Sequence, residues 1–202
     1  MHWTKGFCSR LAAIVLGAAA VLAWPLTGAA QTLTGQATAA QATVFGLLGT
    51  NVLSFANTGT LSSPTGALDA SQLSGNILGA LTAEVPQAST IGYPDQVDSA
   101  ASLANFALSI AGNAISADFV NSEATAVLNG ASSGTATLTN LSLNGVPVAV
   151  SGAPNQAVYL PGGQMVINEQ QTSPGGIVVN ALHIIVNGVA DVVVGSAVAS
   201  IQ

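Results

Sequence analysis

Turn-forming clusters interrupt this chain so often that no long helix fits between them. TGTLSSPTG, GYPD, NG at 129–130, NGVP at 144–147, SGAPN, LPGG, SPGG and NG at 187–188 follow one another from residue 58 onward. Glycine accepts positive φ and proline fixes φ, so such clusters mark tight turns. Between them lie short apolar or alternating runs: ATVFGLLG, NILGALTAE, SLANFALSI, AISADFVNSEATAVL, TATLTNLSL, QMVINEQ, and two more within IVVNALHIIVNGVADVVVGSAVASI at residues 177–201. Period-two alternation gives a strand one face for a core, and the Val, Ile and Thr in these runs suit strands better than helices. The expected fold is all-β, an antiparallel β-sandwich, jelly-roll-like or similar, ending in a C-terminal hairpin.

Three competing readings are weaker. A disordered linker does not fit a chain that is 50% hydrophobic with its Val and Ile clustered. A solenoid would need a fixed repeat, and none is found. Helix is suggested in LDASQLSGNIL, where Asp69 is placed to cap a turn ahead of Leu73. DSAASLANFAL also has a candidate cap in Asp98 or Ser99, but the alternation of Phe106, Leu108 and Ile110 makes it a strand.

The N-terminus reads as a cleaved signal peptide. Lys5 and Arg10 precede the run LAAIVLGAAAVLAWPL, and small residues at Gly28 and Ala30 place the cut before Gln31. The expected organisation is a signal peptide at 1–30, an extended N-terminal segment at 31–40 and a single β domain at 41–202. The apolar run is short for a span and holds Pro25, so no stable membrane insertion is expected after cleavage. VGSAVASIQ offers no anchor either, so the product is expected to be secreted, extracellular or held non-covalently at a cell surface.

Residues 31–202 contain no Lys, Arg, Cys or Trp, while all eight acids fall there: Asp69, Glu84, Asp95, Asp98, Asp118, Glu123, Glu169 and Asp191. Nucleic acid is excluded as a partner, because its binding draws on Lys and Arg. Attraction to anionic lipid fails for the same reason. Disulfides cannot form, and no carboxylate can meet Lys or Arg.

His183 is the one imidazole past residue 30. Asn187-Gly188 signals a two-residue type I′ hairpin, which would pair Val186 with Val189 and place His183 opposite Val192 and Ile184 opposite Asp191. His183 and Asp191 would then occupy opposite faces, so no dyad and no catalytic residue is expected. Zinc wants three or four His, Cys or carboxylate ligands. No cofactor is expected, calcium being the one cation to consider, at Asp95 and Asp98 in YPDQVD with Asp69 on another loop; solvated loop carboxylates are the simpler reading. Asn168, Glu169, Gln170 and Gln171 form a polar cluster that could hydrogen-bond a sugar, but hydrolysis needs a second facing carboxyl. A structural role, with the amides pairing nearby backbone, fits better.

Several of these stretches resemble the choice-of-anchor P family of bacterial surface proteins. They are SAASLANFALSIAGNAISADFVNSEATAV, LTNLSLNGVPVAVSG, PGGQMVINEQ and GIVVNALHIIVNGVADVVVGSAVASI, covering most of residues 40–201. The more specific features are Asn168-Glu169-Gln170, Asn180 with His183, and Asp191 beyond the Asn187-Gly188 turn. The resemblance implies an exported, mostly β domain at a cell surface, with no activity to carry over. The expected function is a structural or adhesive domain without catalysis, partnered by itself or by other surface or matrix components. One alternative is a fibre or sheath subunit that donates residues 31–40 to a neighbour's sheet edge. Another is a carbohydrate-binding protein, although only Tyr93, Tyr159 and four phenylalanines past residue 30 are available for stacking.

Overall fold

The computed structural model describes residues 31–46 and 49–202; the signal peptide expected at residues 1–30 lies outside them. The described residues form strands and no helix. In chain order these are β1 (Leu33–Gly46), β2 (Gly49–Asn57), β3 (Ala67–Ser71), β4 (Ser74–Ile77), β5 (Leu81–Gly92), β6 (Gln96–Ile110), β7 (Asn113–Val127), β8 (Ser133–Thr139), β9 (Ser142–Leu143), β10 (Val146–Pro147), β11 (Gln156–Leu160), β12 (Gly163–Ser173), β13 (Gly176–Val186) and β14 (Ala190–Ile201). One sheet runs β11-β12-β13-β14-β1-β2; the other has the path β10-β9-β7-β6-β5-β3, with β4 also on β5 and β8 also on β7. All pairings are antiparallel, and the two sheets pack face to face, as the turn spacing leads one to expect.

Two local expectations change. Residues 31–40 are extended but do not stand apart from the domain: β1 runs unbroken from Leu33 and is sandwiched between β14 and β2. LDASQLSGNIL is not helical. It forms β3 and β4, both laid against β5, with Gly75 under the Phe55 ring where a Cβ would lie 2.7 Å from it. Ladder pairing here prevails over the capping signal of Asp69. The DSAASLANFAL stretch is a strand, as its alternation indicates.

Both sheets break the inward–outward alternation along a transverse line. In the six-stranded sheet, Phe55, Ala40, Val194, Leu182 and Ile167 pair side by side from β2 to β12, and all are buried. Their chain neighbours Ala56, Ala39, Ala181 and Asn168 are buried too, as is Gly195. Each of these five strands therefore turns two consecutive residues toward the core. Left-handed backbone at Ala56 (φ 48°), Gly195 (φ 62°) and Asn168 (φ 51°) accommodates the doubling on every second strand. Four of the five residues in the second row are Ala or Gly, since two successive inward side chains leave little room: a Cβ on Gly195 would sit 3.1 Å from that of Ala181 and 3.4 Å from Val120 Cγ1.

The eight-stranded sheet doubles in the opposite direction. Ala104 with Asn105, Asp118 with Phe119, and Thr139 with Asn140 face outward in pairs, with Asn105 (φ 47°) and Asn140 (φ 53°) left-handed.

Candidate functional site

The outer face of the six-stranded sheet holds the chain's one ionic cluster among the described residues. Glu169 stands on β12, His183 on β13 and Asp191 on β14. His183 Nδ1 lies 3.0 Å from Glu169 Oε2 and Nε2 lies 2.9 Å from Asp191 Oδ1. Asn180 Nδ2 donates to the same Glu169 Oε2 at 2.6 Å. A neutral imidazole has a single N–H and can satisfy only one of two flanking carboxylates; the charged ring donates to both. Burial, the largest influence on His183, favours its neutral form. The hydrogen bond and charge of Glu169, then the charge and hydrogen bond of Asp191, outweigh it and hold the pKa above the usual 6.5. Burial likewise pushes Glu169 up, but the bond from Asn180 followed by the bond and charge of His183 leaves it below the ordinary 4.5.

This cluster overturns the expected separation of His183 from Asp191. A type I′ turn needs positive φ at both central residues, and Gly188 (φ 70°) has it while Asn187 does not. The loop takes three residues, Val186 pairs with Ala190, and the register moves by one. Ile185 then faces Asp191 and His183 faces Val193, so both polar side chains share the outer face. Glu169 joins them through the doubled row. Asn180 and His183 both point outward because Ala181 and Leu182 between them point in.

The doubling also opens a groove. Two adjacent rows send no side chain outward, so a trough crosses β13, β14 and β1, with Asn180, Ser196 and Thr38 on one bank and Val193 and Gln41 on the other. The depression measures about 240 Å³ and extends to Gln36. Asn180, on its β13 side, is hydrogen-bonded to Glu169 of the ionic cluster. Among the described residues, the hydroxyls of Thr38 and Ser196, the Gln41 amide and Asn180 Oδ1 have no protein hydrogen-bond partner.

The remaining polar residues have other surroundings. Asn168 points inward, its Nδ2 donating to Gly152 O at 3.1 Å, while Gln170 Nε2 donates to Gly134 O at 3.0 Å and to Asn168 Oδ1 at 2.9 Å. These amides therefore tie a crossing loop and β8 to β12. Gln171 is 3.5 Å from Glu169. Asp98 accepts from Gln96 and from Thr125 Oγ1 at 2.7 Å; Asp69, on β3, faces Ser89 of β5; Asp95 lies in the β5–β6 turn. The three are not brought together, and among the described residues no group of three or more His, Cys, Asp or Glu is placed to hold a metal.

Fold and site together define a two-sheet β domain with an imidazole–carboxylate cluster and a polar groove on one outer face. Comparison with family models, curated proteins and solved structures finds no match.

Proposed function

We propose that the protein is a secreted or cell-surface β domain with a structural or adhesive role and no catalytic step of its own. The observation that carries this reading is the state of His183. Each ring nitrogen is taken by a carboxylate, so the imidazole has no lone pair turned toward a hydroxyl that it could activate. The signal-like N-terminus, the cation-free sequence after it and the resemblance to choice-of-anchor P proteins support placement outside the cell. Donation of residues 31–40 to a neighbour draws less support, because Leu33–Ala40 already pair along β14 of their own chain, with Thr38 and Ala40 also paired to β2.

Surface labelling of cells expressing the tagged full chain, combined with an attachment assay on a deletion strain, tests the reading. The protein is expected to be accessible outside the cell, and deletion is expected to weaken attachment or cohesion. Retention inside the cell, or turnover of an ester or glycoside that depends on His183, would overturn it.

A further inference from the structure

We propose that the transverse groove on the six-stranded sheet binds a neutral, hydroxyl-rich ligand, a short stretch of a polysaccharide, and so supplies the contact that the adhesive reading requires. The inference rests on that reading for its biological setting and on the groove for its chemistry.

The groove crosses strands that are interior to the sheet, with paired rows on either side of the doubled line, so a peptide finds no free sheet edge there to extend. What remains free is side-chain chemistry. The Ser196 hydroxyl donates and accepts and Gln41 offers an amide at partly exposed positions, while Thr38 and Asn180, which are buried, add a hydroxyl and an Oδ1 acceptor where they meet the groove. A polyol carries the matching mixture of donors and acceptors on every unit. Val193 on one bank, and Val178 and Val198 one row behind the other, add apolar surface suited to the C–H faces of a sugar ring.

Charge narrows the class further. Residues 31–202 carry eight acids and no Lys or Arg, and the one side chain able to be cationic, His183, is already held between Glu169 and Asp191. Sulfated, phosphorylated or uronic-acid ligands would meet repulsion without a counter-charge. A depression of about 240 Å³ lies below the usual range of pockets that enclose a whole ligand. A short piece of a chain that continues across the sheet fits it better than an isolated compact molecule. Among the described residues no aromatic ring lines the groove, so single-site affinity is expected to be weak, about millimolar; many copies on a surface would make such contacts effective.

The test is NMR titration of the isotopically labelled, purified protein. Probes are neutral oligosaccharides of glucose, mannose and N-acetylglucosamine, with a sulfated oligosaccharide for comparison. Saturable shifts are expected at Thr38, Gln41, Val193 and Ser196 with at least one neutral probe. Gln41→Ala and Ser196→Ala together should weaken binding about tenfold or more, with the thermal midpoint unchanged. Thr38→Val, which keeps the shape and removes the hydroxyl, is the second variant. The proposal fails if no neutral probe gives saturable shifts, if the sulfated probe binds more tightly, if shifts map to the eight-stranded sheet, or if the variants bind as well as the parent. Attachment lost on gene deletion without saccharide binding would overturn the groove while sparing the adhesive reading.

Discussion

On the outer face of the eight-stranded sheet, carboxylates stand with no cation beside them among the described residues; on the outer face of the six-stranded sheet, two carboxylates share one imidazole. Glu84 takes a hydrogen bond from Asn105 at 2.6 Å, Asp118 from Asn140 at 2.6 Å, Glu123 from Asn121 at 3.1 Å, and Asp98 from Gln96 and Thr125. Each such bond is local, reaching two residues along a strand or across to the next one. Glu169, His183 and Asp191 instead tie three strands together over the line where the alternation breaks. Without Lys or Arg, neutral donors can hold carboxylates one at a time, but coupling several strands takes a charged group with two donors at its ends.

The largest effect should follow from removing the geometry that makes the second face different. Gly195→Val places a branched side chain on left-handed backbone and against Ala181 and Val120; a loss of about 3 kcal/mol or more is expected, read by urea unfolding. If the doubled row is incidental, the loss will be far smaller.

His183→Gln comes next. It removes the charge and leaves at least one carboxylate without its donor, at a cost of about 1–2 kcal/mol near pH 6, reduced from the fully buried case because Asp191 is 41% exposed. Its pH dependence is more telling. The raised pKa of His183 contributes stability that is complete below 6.5 and disappears as pH rises through the folded-state value. The lowered pKa of Glu169 contributes stability that is complete above 4.5 and disappears as pH falls through its folded-state value. Both contributions are present between those ordinary values, in mildly acidic solution. Thermal melts of the parent should show the alkaline decline, and H183Q should lack it. An identical alkaline limb in both proteins would break the proposed contrast between the faces.

Smaller effects are expected across the sandwich. Asn140→Ala loses both the bond to Asp118 and the ease of a left-handed backbone, about 1 kcal/mol together. Asn140→Gly keeps the backbone freedom and should cost less, which separates the two contributions. Gln96→Ala should change stability by only a few tenths of a kcal/mol, because Thr125 still serves Asp98.

Much of the fold was legible in the turn punctuation. Ala111-Gly112 and Asn144-Gly145 both have positive φ at each position and close two-residue hairpins, in line with the rule that misled at Asn187-Gly188. There one residue kept negative φ, the loop gained a residue, and every assignment of side chain to face beyond it reversed. The partnership of Glu169 with His183 was harder to read, because it depends on the doubled row. A trace of that row exists in the sequence. Asn180 and His183, like Thr38 and Gln41, are outward polar residues three apart where strict alternation would separate them by two or four. Apolar residues lie between them, Ala181 and Leu182 in one case and Ala39 and Ala40 in the other. Only the side-by-side pairing of five strands shows that these local irregularities form one line.

The position of β14 bears on how the chain reaches this state. It is the last strand in chain order, yet it occupies the middle of its sheet between β13 and β1, and Thr32 and Gln202 exchange backbone hydrogen bonds at 2.9 Å. The eight-stranded sheet is drawn from a continuous stretch, Ala67–Pro147, and can begin to assemble as soon as that stretch is free. The other sheet must wait for residues 190–201 and then close contacts spanning almost the whole described chain, a slow step because of the loop entropy involved. A chain threaded N-terminus first through a channel would therefore remain incompletely folded until this strand emerged, leaving the unfinished centre of the sheet as the region most in need of protection from premature association.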